Sequence, residues 1–207
     1  MATVYVYVMN TMADWEVSYA MAELHSRRFF RKDAGQVEVK TVSHDGKAVC
    51  TMGGLKVFPD CSVDDLEIAG DNMLILPGSD EWSNPIHKVV LETAQQFLEV
   101  GGAVAAICGA TLALANLGIL NDRKHTSNGA GFLGMFCPEY KGETNYIDKP
   151  AVRDRNLITA GSTGGLLFAK LILEYFEVFY PETLENWHKY FSTGDADAFF
   201  RMMESIQ

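Results

Sequence analysis

The sequence lacks three features: an excess of positive charge, a long hydrophobic run and closely paired cysteines. Lysine and arginine number 17 against 27 aspartate and glutamate residues, which gives a net charge of −10. Because nucleic-acid binding requires a basic surface, no nucleic-acid partner is expected. No apolar run approaches the roughly 20 residues that cross a bilayer, so the sequence also predicts no membrane partner.

The start of the chain and its cysteines indicate the compartment. Residues Met1–Val6 lack the basic segment of a signal peptide and have the composition of a first strand. The four cysteines form no C-x-x-C pair, so neither a zinc knuckle nor a thioredoxin motif is supported. We therefore predict a cytoplasmic protein with no metal site.

Strand-like and helix-like segments alternate along the whole chain. With 207 residues and no repeat or break in composition, residues 1–207 are expected to form one domain. The alternation predicts an α/β fold in which helices cover both faces of a mostly parallel sheet. Strands are predicted from apolar and β-branched runs at Thr3–Met9, Gln36–Val42, Ala48–Cys50, Leu55–Phe58, Asn72–Leu76, Ala103–Ile107 and Leu157–Ala160.

Helix ends are predicted at residues that favour the first or last turn of a helix. The first helix is expected from Asp14 to about Phe30. Residues 121–150 show no clear pattern and are expected to be rich in loops. Later helices begin at an N-cap or an early proline, and they are predicted from Asn84 to about Val100, from Ser162 or Thr163 to about Tyr180, from Pro181, and from Asp195.

The segment Ala103–Ala113 places a cysteine where a buried strand becomes a helix of small residues. Cys108 at this junction lies near the positive end of the helix dipole, which favours the thiolate. The backbone N–H groups that follow are placed to hold a developing oxyanion. This is the arrangement of a nucleophile elbow, with cysteine in place of serine. The alternative is a small buried hydrophobic residue, the structural or incidental role expected of Cys50, Cys61 and Cys137.

One glycine motif bears on cofactor binding. Gly129–Gly134 matches G-x-G-x-x-G, the dinucleotide fingerprint. That motif requires an apolar strand directly before it, whereas the polar segment His125–Asn128 precedes it here. The sequence therefore predicts no cofactor.

Three short segments and one later stretch, in this order and spacing, resemble the DJ-1/PfpI superfamily. Asp14–Glu16 follows the first strand, where the family keeps an acidic residue, and Leu76–Ser79 is similar to its LPGG-type turn. Ala105–Ala110 is similar to its AICxG-type elbow, and Leu120–Asn128 resembles a stretch seen in many relatives. The resemblance covers nearly the whole chain and extends to class I glutamine amidotransferase domains.

The resemblance implies a flavodoxin-like three-layer sandwich, a homodimer and an acidic side chain hydrogen-bonded to the elbow sulfur. It assigns that acidic role to Glu16, whose place after the first strand is at the same sheet edge as Cys108; the alternative is a solvated helix residue. A carboxyl beside a thiolate is expected to have a raised pKa and to donate its proton. Gly78 and Gly109 are the expected oxyanion-hole residues, with simple turn geometry as the alternative.

His125 is the best histidine candidate, because its loop follows the elbow helix and can fold over the same edge; a solvated loop histidine is the alternative. Protease-like relatives place a histidine directly after the cysteine, whereas this chain has Gly109. A PfpI-type protease is therefore not expected.

Three functions remain open at this point. The first is a cysteine-dependent hydrolase or amidotransferase-like enzyme acting on a small molecule. In it Cys108 attacks an amide or aldehyde carbon and Glu16 or His125 moves protons. The second is a non-enzymatic sensor of oxidative stress, or a chaperone, that uses the same oxidisable cysteine. The third is an amidotransferase subunit that supplies ammonia to a separate partner.

Overall fold

The structure is a computed structural model that describes residues 1–206. Its centre is a seven-stranded sheet in the order β5-β2-β1-β6-β7-β9-β8. Every neighbouring pair in this sheet is parallel except β8 and β9. The strands of this sheet are β1 (Ala2–Tyr7), β2 (Val37–Ser43), β5 (Cys61–Ser62), β6 (Met73–Leu76), β7 (Ala103–Ile107), β8 (Ala151–Asp154) and β9 (Leu157–Ala160).

Helices flank the sheet, which confirms the predicted flavodoxin-like α/β fold with a mostly parallel sheet. They are α1 (Asp14–Ser26), α2 (Lys88–Glu99), α3 (Gly109–Asn116), α4 (Phe132–Phe136), α5 (Gly165–Tyr175), α6 (Pro181–Thr193) and α7 (Ala196–Ser205). Short 3₁₀ turns occur at Val63–Asp65, Pro85–His87 and Glu143–Asn145. No helix within residues 1–206 is long and apolar enough to cross a membrane.

The central strands are buried along their length because helices cover the sheet. All residues of β6 and β7 are inaccessible to solvent, and β1 is buried from Thr3 onward. Burial on both faces of the sheet explains why the sequences of these strands are continuous apolar runs and do not alternate between apolar and polar residues. The predicted short strands form a separate antiparallel hairpin, β3 (Val49–Cys50) with β4 (Lys56–Val57).

Two helices end earlier than predicted. The first ends at Ser26 instead of near Phe30, because Arg27 adopts a left-handed backbone with φ of 56°. Helix α5 ends at Tyr175 instead of Tyr180, and Glu177 has a positive φ of 51°. Glycine commonly marks the C-terminal end of a helix, and neither of these two ends has one. The positions of the two ends therefore could not be predicted from composition.

The beginnings of α6 and α7 were predicted correctly, because a proline or a capping side chain marks each of them in the sequence. Pro181 is the first residue of α6, and the Asp195 carboxylate accepts the N–H of Asp197 at the start of α7, as predicted. The expected cap by Ser162 or Thr163 is wrong, because Gly164 precedes α5 and makes no side-chain bond. Strand β8, in the segment after the expected loops, was not predicted.

Candidate active site

Cys108 occupies a strained turn between β7 and α3. Its φ is 57° and its ψ is −123°, a conformation that costs of order 1–3 kcal/mol for a residue with a side chain. Its N–H donates to the carbonyl of Ala160 at 2.9 Å. Its own carbonyl accepts the N–H of Thr111 at 3.0 Å and the Thr111 hydroxyl at 2.6 Å. The elbow is therefore fixed on both sides, and it presents a half-buried thiol at the carboxyl edge of the sheet.

The Glu16 carboxyl lies against this elbow from the first turn of α1. The side chain is 1 % exposed, and its Oε2 accepts the N–H of Gly78 at 2.6 Å. Its Oε1 has no hydrogen-bond partner among residues 1–206. A Cβ at position 78 would lie 2.6 Å from Oε2 and 2.7 Å from the Cβ of Cys108. Only glycine at this turn leaves room for the carboxyl and the cysteine to approach each other.

Burial raises the pKa of both groups in this pair. For Glu16 the loss of solvation outweighs the Gly78 hydrogen bond and the contact with Cys108, which lower the pKa. For Cys108 burial is again the largest cause, and the charge and hydrogen bonding of Glu16 raise the thiol pKa further. The helix dipole was expected to favour the thiolate, whereas burial and the neighbouring Glu16 carboxylate raise the pKa of the Cys108 thiol.

The ionisation of Cys108 depends on the protonation state of Glu16. When Glu16 is protonated, its charge no longer opposes the thiolate and its O–H becomes a donor. The contacts with Asn128 and the Gly109 N–H, which lower the pKa of Cys108, then act without that opposition. We therefore expect the two groups to titrate as a coupled pair.

Asn128 is a second side chain on the sulfur, and sequence reasoning gave it no role. Its Nδ2 donates to Cys108 Sγ at 3.4 Å, and its Oδ1 accepts the N–H of Ser162 at 2.9 Å. The second bond fixes the orientation of the amide. Asn128 is the last residue of Leu120–Asn128, the stretch that resembles the family. Its place in that stretch was the one feature of the sequence that could have marked it as a site residue.

The two glycines differ in what their N–H groups do. The N–H of Gly78 is bonded to Glu16, so the structure does not leave it free for an oxyanion. The N–H of Gly109 lowers the pKa of the Cys108 thiol. A Cβ on Gly109 would meet the carbonyl of Ser79 at 3.1 Å and the Trp82 ring at 3.4 Å. A histidine at this position, as in protease-like relatives, would need these neighbours to move.

His125 is buried but is not hydrogen-bonded to Cys108. Its Nδ1 lies 2.7 Å from the carbonyl of Arg123, and its Nε2 lies 2.6 Å from the hydroxyl of Tyr140. Burial lowers the pKa of the ring, which keeps it neutral near pH 7. Both ring nitrogens are thus engaged by other groups, and the ring edge packs against Tyr140 and Tyr146.

A cavity of about 260 Å³ adjoins the sulfur through Asn128. Its wall includes Lys149 and the turn that leads into α5, and its full lining is Ser127, Asn128, Gly129, Asp148, Lys149, Pro150, Gly161, Ser162 and Thr163. The G-x-G-x-x-G segment begins at this cavity, and Gly129 and Gly131 have positive φ values. Within residues 1–206 no group of three or more metal-ligating side chains is present.

Comparison with known proteins identifies the family of the chain. The model of the DJ-1/PfpI family matches residues 2–175. The uncharacterized protease YoaZ of Bacillus subtilis is 45 % identical over 203 residues, which is 98 % of this chain and 97 % of that protein. The uncharacterized protease YdeA of the same organism is 36 % identical over 179 residues, 86 % of this chain and 85 % of that protein.

A solved structure has nearly the same backbone. The thiJ/pfpI family protein from Bacillus anthracis superposes with a TM-score of 0.96 at 45 % identity, and the match covers 100 % of this chain and 98 % of that chain. The DJ-1 superfamily protein Atu0886 from Agrobacterium tumefaciens gives a TM-score of 0.80 at 32 % identity over 94 % of this chain and 99 % of that chain. The chain belongs to the DJ-1/PfpI family.

Proposed function

We propose that this protein is a cysteine-dependent enzyme acting on small reactive carbonyl compounds, with α-oxoaldehydes as the substrate class. The observation that carries the proposal is the buried Glu16 carboxyl beside Cys108, with one oxygen bonded to Gly78 and the other unpartnered. A carboxyl of raised pKa is suited to accept and return protons near neutral pH. The reaction of an α-oxoaldehyde needs only such a group and a nucleophile.

In the proposed reaction the Cys108 sulfur bonds to the aldehyde carbon, and the thiol proton passes through Glu16 to the carbonyl oxygen. Glu16 then removes the hydrogen from that carbon, and the neighbouring ketone carbon gains a proton through an enediol. The product is a thioester of a 2-hydroxy acid, which water cleaves to release the acid and the thiol. The aldehyde carbon is oxidised and the ketone carbon is reduced, so no external oxidant is required.

Amide hydrolysis is less well supported, although two relatives carry the name protease. A leaving amine must receive a proton from a general acid. His125, the expected acid, is hydrogen-bonded to Arg123 and Tyr140, and a side chain at position 109 would be tightly packed against Ser79 and Trp82. An amidotransferase subunit faces the same requirement.

A non-enzymatic sensor or chaperone is the second candidate, because polar groups surround the sulfur. The Asn128 amide and the Gly109 N–H are placed to bind the oxygens of a sulfinic acid at Cys108. In this case peroxide would convert Cys108 to the sulfinate in stoichiometric amounts, while no carbonyl substrate would be turned over.

The decisive experiment is methylglyoxal turnover with 2-hydroxy acid formation as the readout, compared for wild type, Cys108→Ser and Cys50→Ser. Cys50 is an exposed cysteine, so its variant is the matched control. We expect turnover in wild type and Cys50→Ser and its loss in Cys108→Ser. Equal turnover in all three proteins would exclude the mechanism. No turnover with selective sulfinate formation at Cys108 by mass spectrometry would favour the sensor.

A homodimer, as the family resemblance implies, and a cytoplasmic location, as the cysteine usage favours, complete the proposal. Apolar side chains near the β3–β4 hairpin support self-association: Trp15, Met52, Leu55 and Phe58 are between 48 % and 78 % exposed. Light scattering would show a mass of twice 22.9 kDa for the dimer.

A further inference from the structure

A second cluster of buried polar side chains lies at the carboxyl ends of β1 and β2, and the proposed reaction does not use it. His87 is 2 % exposed, and its Nδ1 lies 2.7 Å from the hydroxyl of Tyr7, which is fully buried. Trp82 packs against both rings, with centroid distances of 5.9 Å to Tyr7 and 5.7 Å to His87. Ligands of open α/β sheets bind outside the carboxyl ends of the strands, which is where this cluster lies.

The proton on the His87 ring can be placed from its partner. Burial raises the pKa of the Tyr7 phenol and lowers that of the His87 ring, so both groups are neutral near pH 7. The phenol has one hydrogen, and the His87 Nδ1 is the acceptor in reach. We assign the phenol as the donor to Nδ1, which places the proton of the neutral ring on Nε2.

This Nε2–H has no hydrogen-bond partner within residues 1–206, and the His87 residue lines a cavity. The nearest acceptor is Glu81 Oε2 at 3.9 Å, which is too long for a hydrogen bond. The Nδ1 of His44, in the same wall, is also buried and unpartnered. Buried polar atoms of a native protein are almost always paired, so these two atoms indicate an occupant.

We propose that this cavity binds a small neutral hydroxylated molecule of the polyol type. A hydroxyl oxygen about 2.8 Å from each atom bridges the 3.9 Å gap, accepting the His87 Nε2–H and donating to Glu81. In the wall Lys47 is paired with Asp45, so Glu81 is the carboxylate that disfavours an anion, and the His87 donor disfavours an ammonium group. The volume of about 250 Å³ lies below the roughly 300–1,000 Å³ of pockets for drug-sized ligands.

The test follows the ¹⁵N resonances of the His87 ring during titration with xylitol and glycerol. We expect a saturable shift of Nε2 with xylitol, and no such shift with lactate or ethanolamine as anionic and cationic probes. Glu81→Gln replaces a charged acceptor by a neutral one and should weaken binding about tenfold. Glu92→Gln, which removes an exposed carboxyl on α2, should leave binding unchanged.

A second variant acts through volume alone. Ala48 is exposed at the cavity wall, and Ala48→Phe should abolish the shift without altering Tyr7 or His87. The absence of a saturable shift with both polyols would overturn the proposal and leave water as the occupant. An equal response to lactate or ethanolamine, or undiminished binding by Glu81→Gln, would overturn it as well.

Discussion

Helix α1 carries two buried glutamates that differ in how fully they are paired. Both Glu16 and Glu23 are 1 % exposed. The Glu23 carboxylate receives two hydrogen bonds from the Arg28 guanidinium and one from the Trp187 ring N–H at 2.9 Å. One oxygen of Glu16 accepts the N–H of Gly78, and its second oxygen has no hydrogen-bond partner within residues 1–206. A fully paired buried carboxylate fixes structure, whereas a half-paired one retains an oxygen for proton transfer.

The largest expected effect is on turnover at Glu16. Glu16→Gln keeps the side-chain shape and an acceptor for the Gly78 N–H but cannot transfer a proton. We expect methylglyoxal turnover to fall by about 10²-fold or more, the range for loss of a general acid–base group. The fold should remain intact, as circular dichroism would show. Retention of more than a tenth of the activity would show that a group other than Glu16 transfers the proton.

The opposite result is expected at Glu23. Glu23→Gln leaves the Arg28 guanidinium, whose side chain is 50 % exposed, without its charged partner. We expect a loss of about 1–3 kcal/mol in the free energy of unfolding, because α6 loses its bond from Trp187 to a charged acceptor. Activity per folded molecule should not change. Urea denaturation and an activity assay on the same samples separate the effect on stability from the effect on turnover. A Glu23→Gln variant that is stable but inactive would contradict the structural role of Glu23.

Stability should depend on pH differently with and without the Glu16 carboxyl. The native pKa of Glu16 lies above its usual value of 4.5, so the folded state binds this proton more tightly than the unfolded chain does. The contribution to stability is present below pH 4.5 and is lost as pH rises through the raised native pKa. Glu16→Gln has no such loss, so its stability relative to wild type should increase with pH from about 4.5. Parallel curves of unfolding free energy against pH would contradict the raised pKa.

The smallest expected effect concerns Asn128. Asn128→Ala removes the donor that lowers the thiol pKa, so the thiolate fraction and turnover should fall by up to about tenfold. Alkylation of Cys108 by iodoacetamide at pH 7 measures the thiolate directly. Asn128→Asp keeps the acceptor for the Ser162 N–H but adds a negative charge, and it should slow alkylation further. Faster alkylation in either variant would be inconsistent with a role on the sulfur.

The sequence predicts most where local chemistry decides the structure. The change from an apolar run to small residues identified the elbow of Cys108, and the proline and aspartate at the starts of α6 and α7 identified those helices. The closeness of Glu16 to Cys108 followed from parallel strands ending at one sheet edge and from the family resemblance. The catalytic role of Glu16 stays a prediction.

What sequence reasoning missed depends on contacts that are distant along the chain. Asn128 is oriented by the N–H of Ser162, which is 34 residues away, within a segment that shows no periodic pattern. The N–H of Gly78 is taken by a carboxylate 62 residues earlier, so an oxyanion role could not be judged from the turn alone. His125 was expected at the site because its loop follows α3, but Tyr140 and Arg123 hold the ring. Such pairings follow from the tertiary fold rather than from the local sequence.

The most direct test of the shared proton is the pH dependence of Cys108 alkylation in wild type and Glu16→Gln, with Glu23→Gln as the control. The charge and hydrogen bonding of Glu16 raise the thiol pKa, so the Glu16→Gln curve should move to lower pH and follow a single group. The Glu23→Gln curve should superpose on that of wild type. An unchanged or higher thiol pKa in Glu16→Gln would show that the two groups do not share a proton.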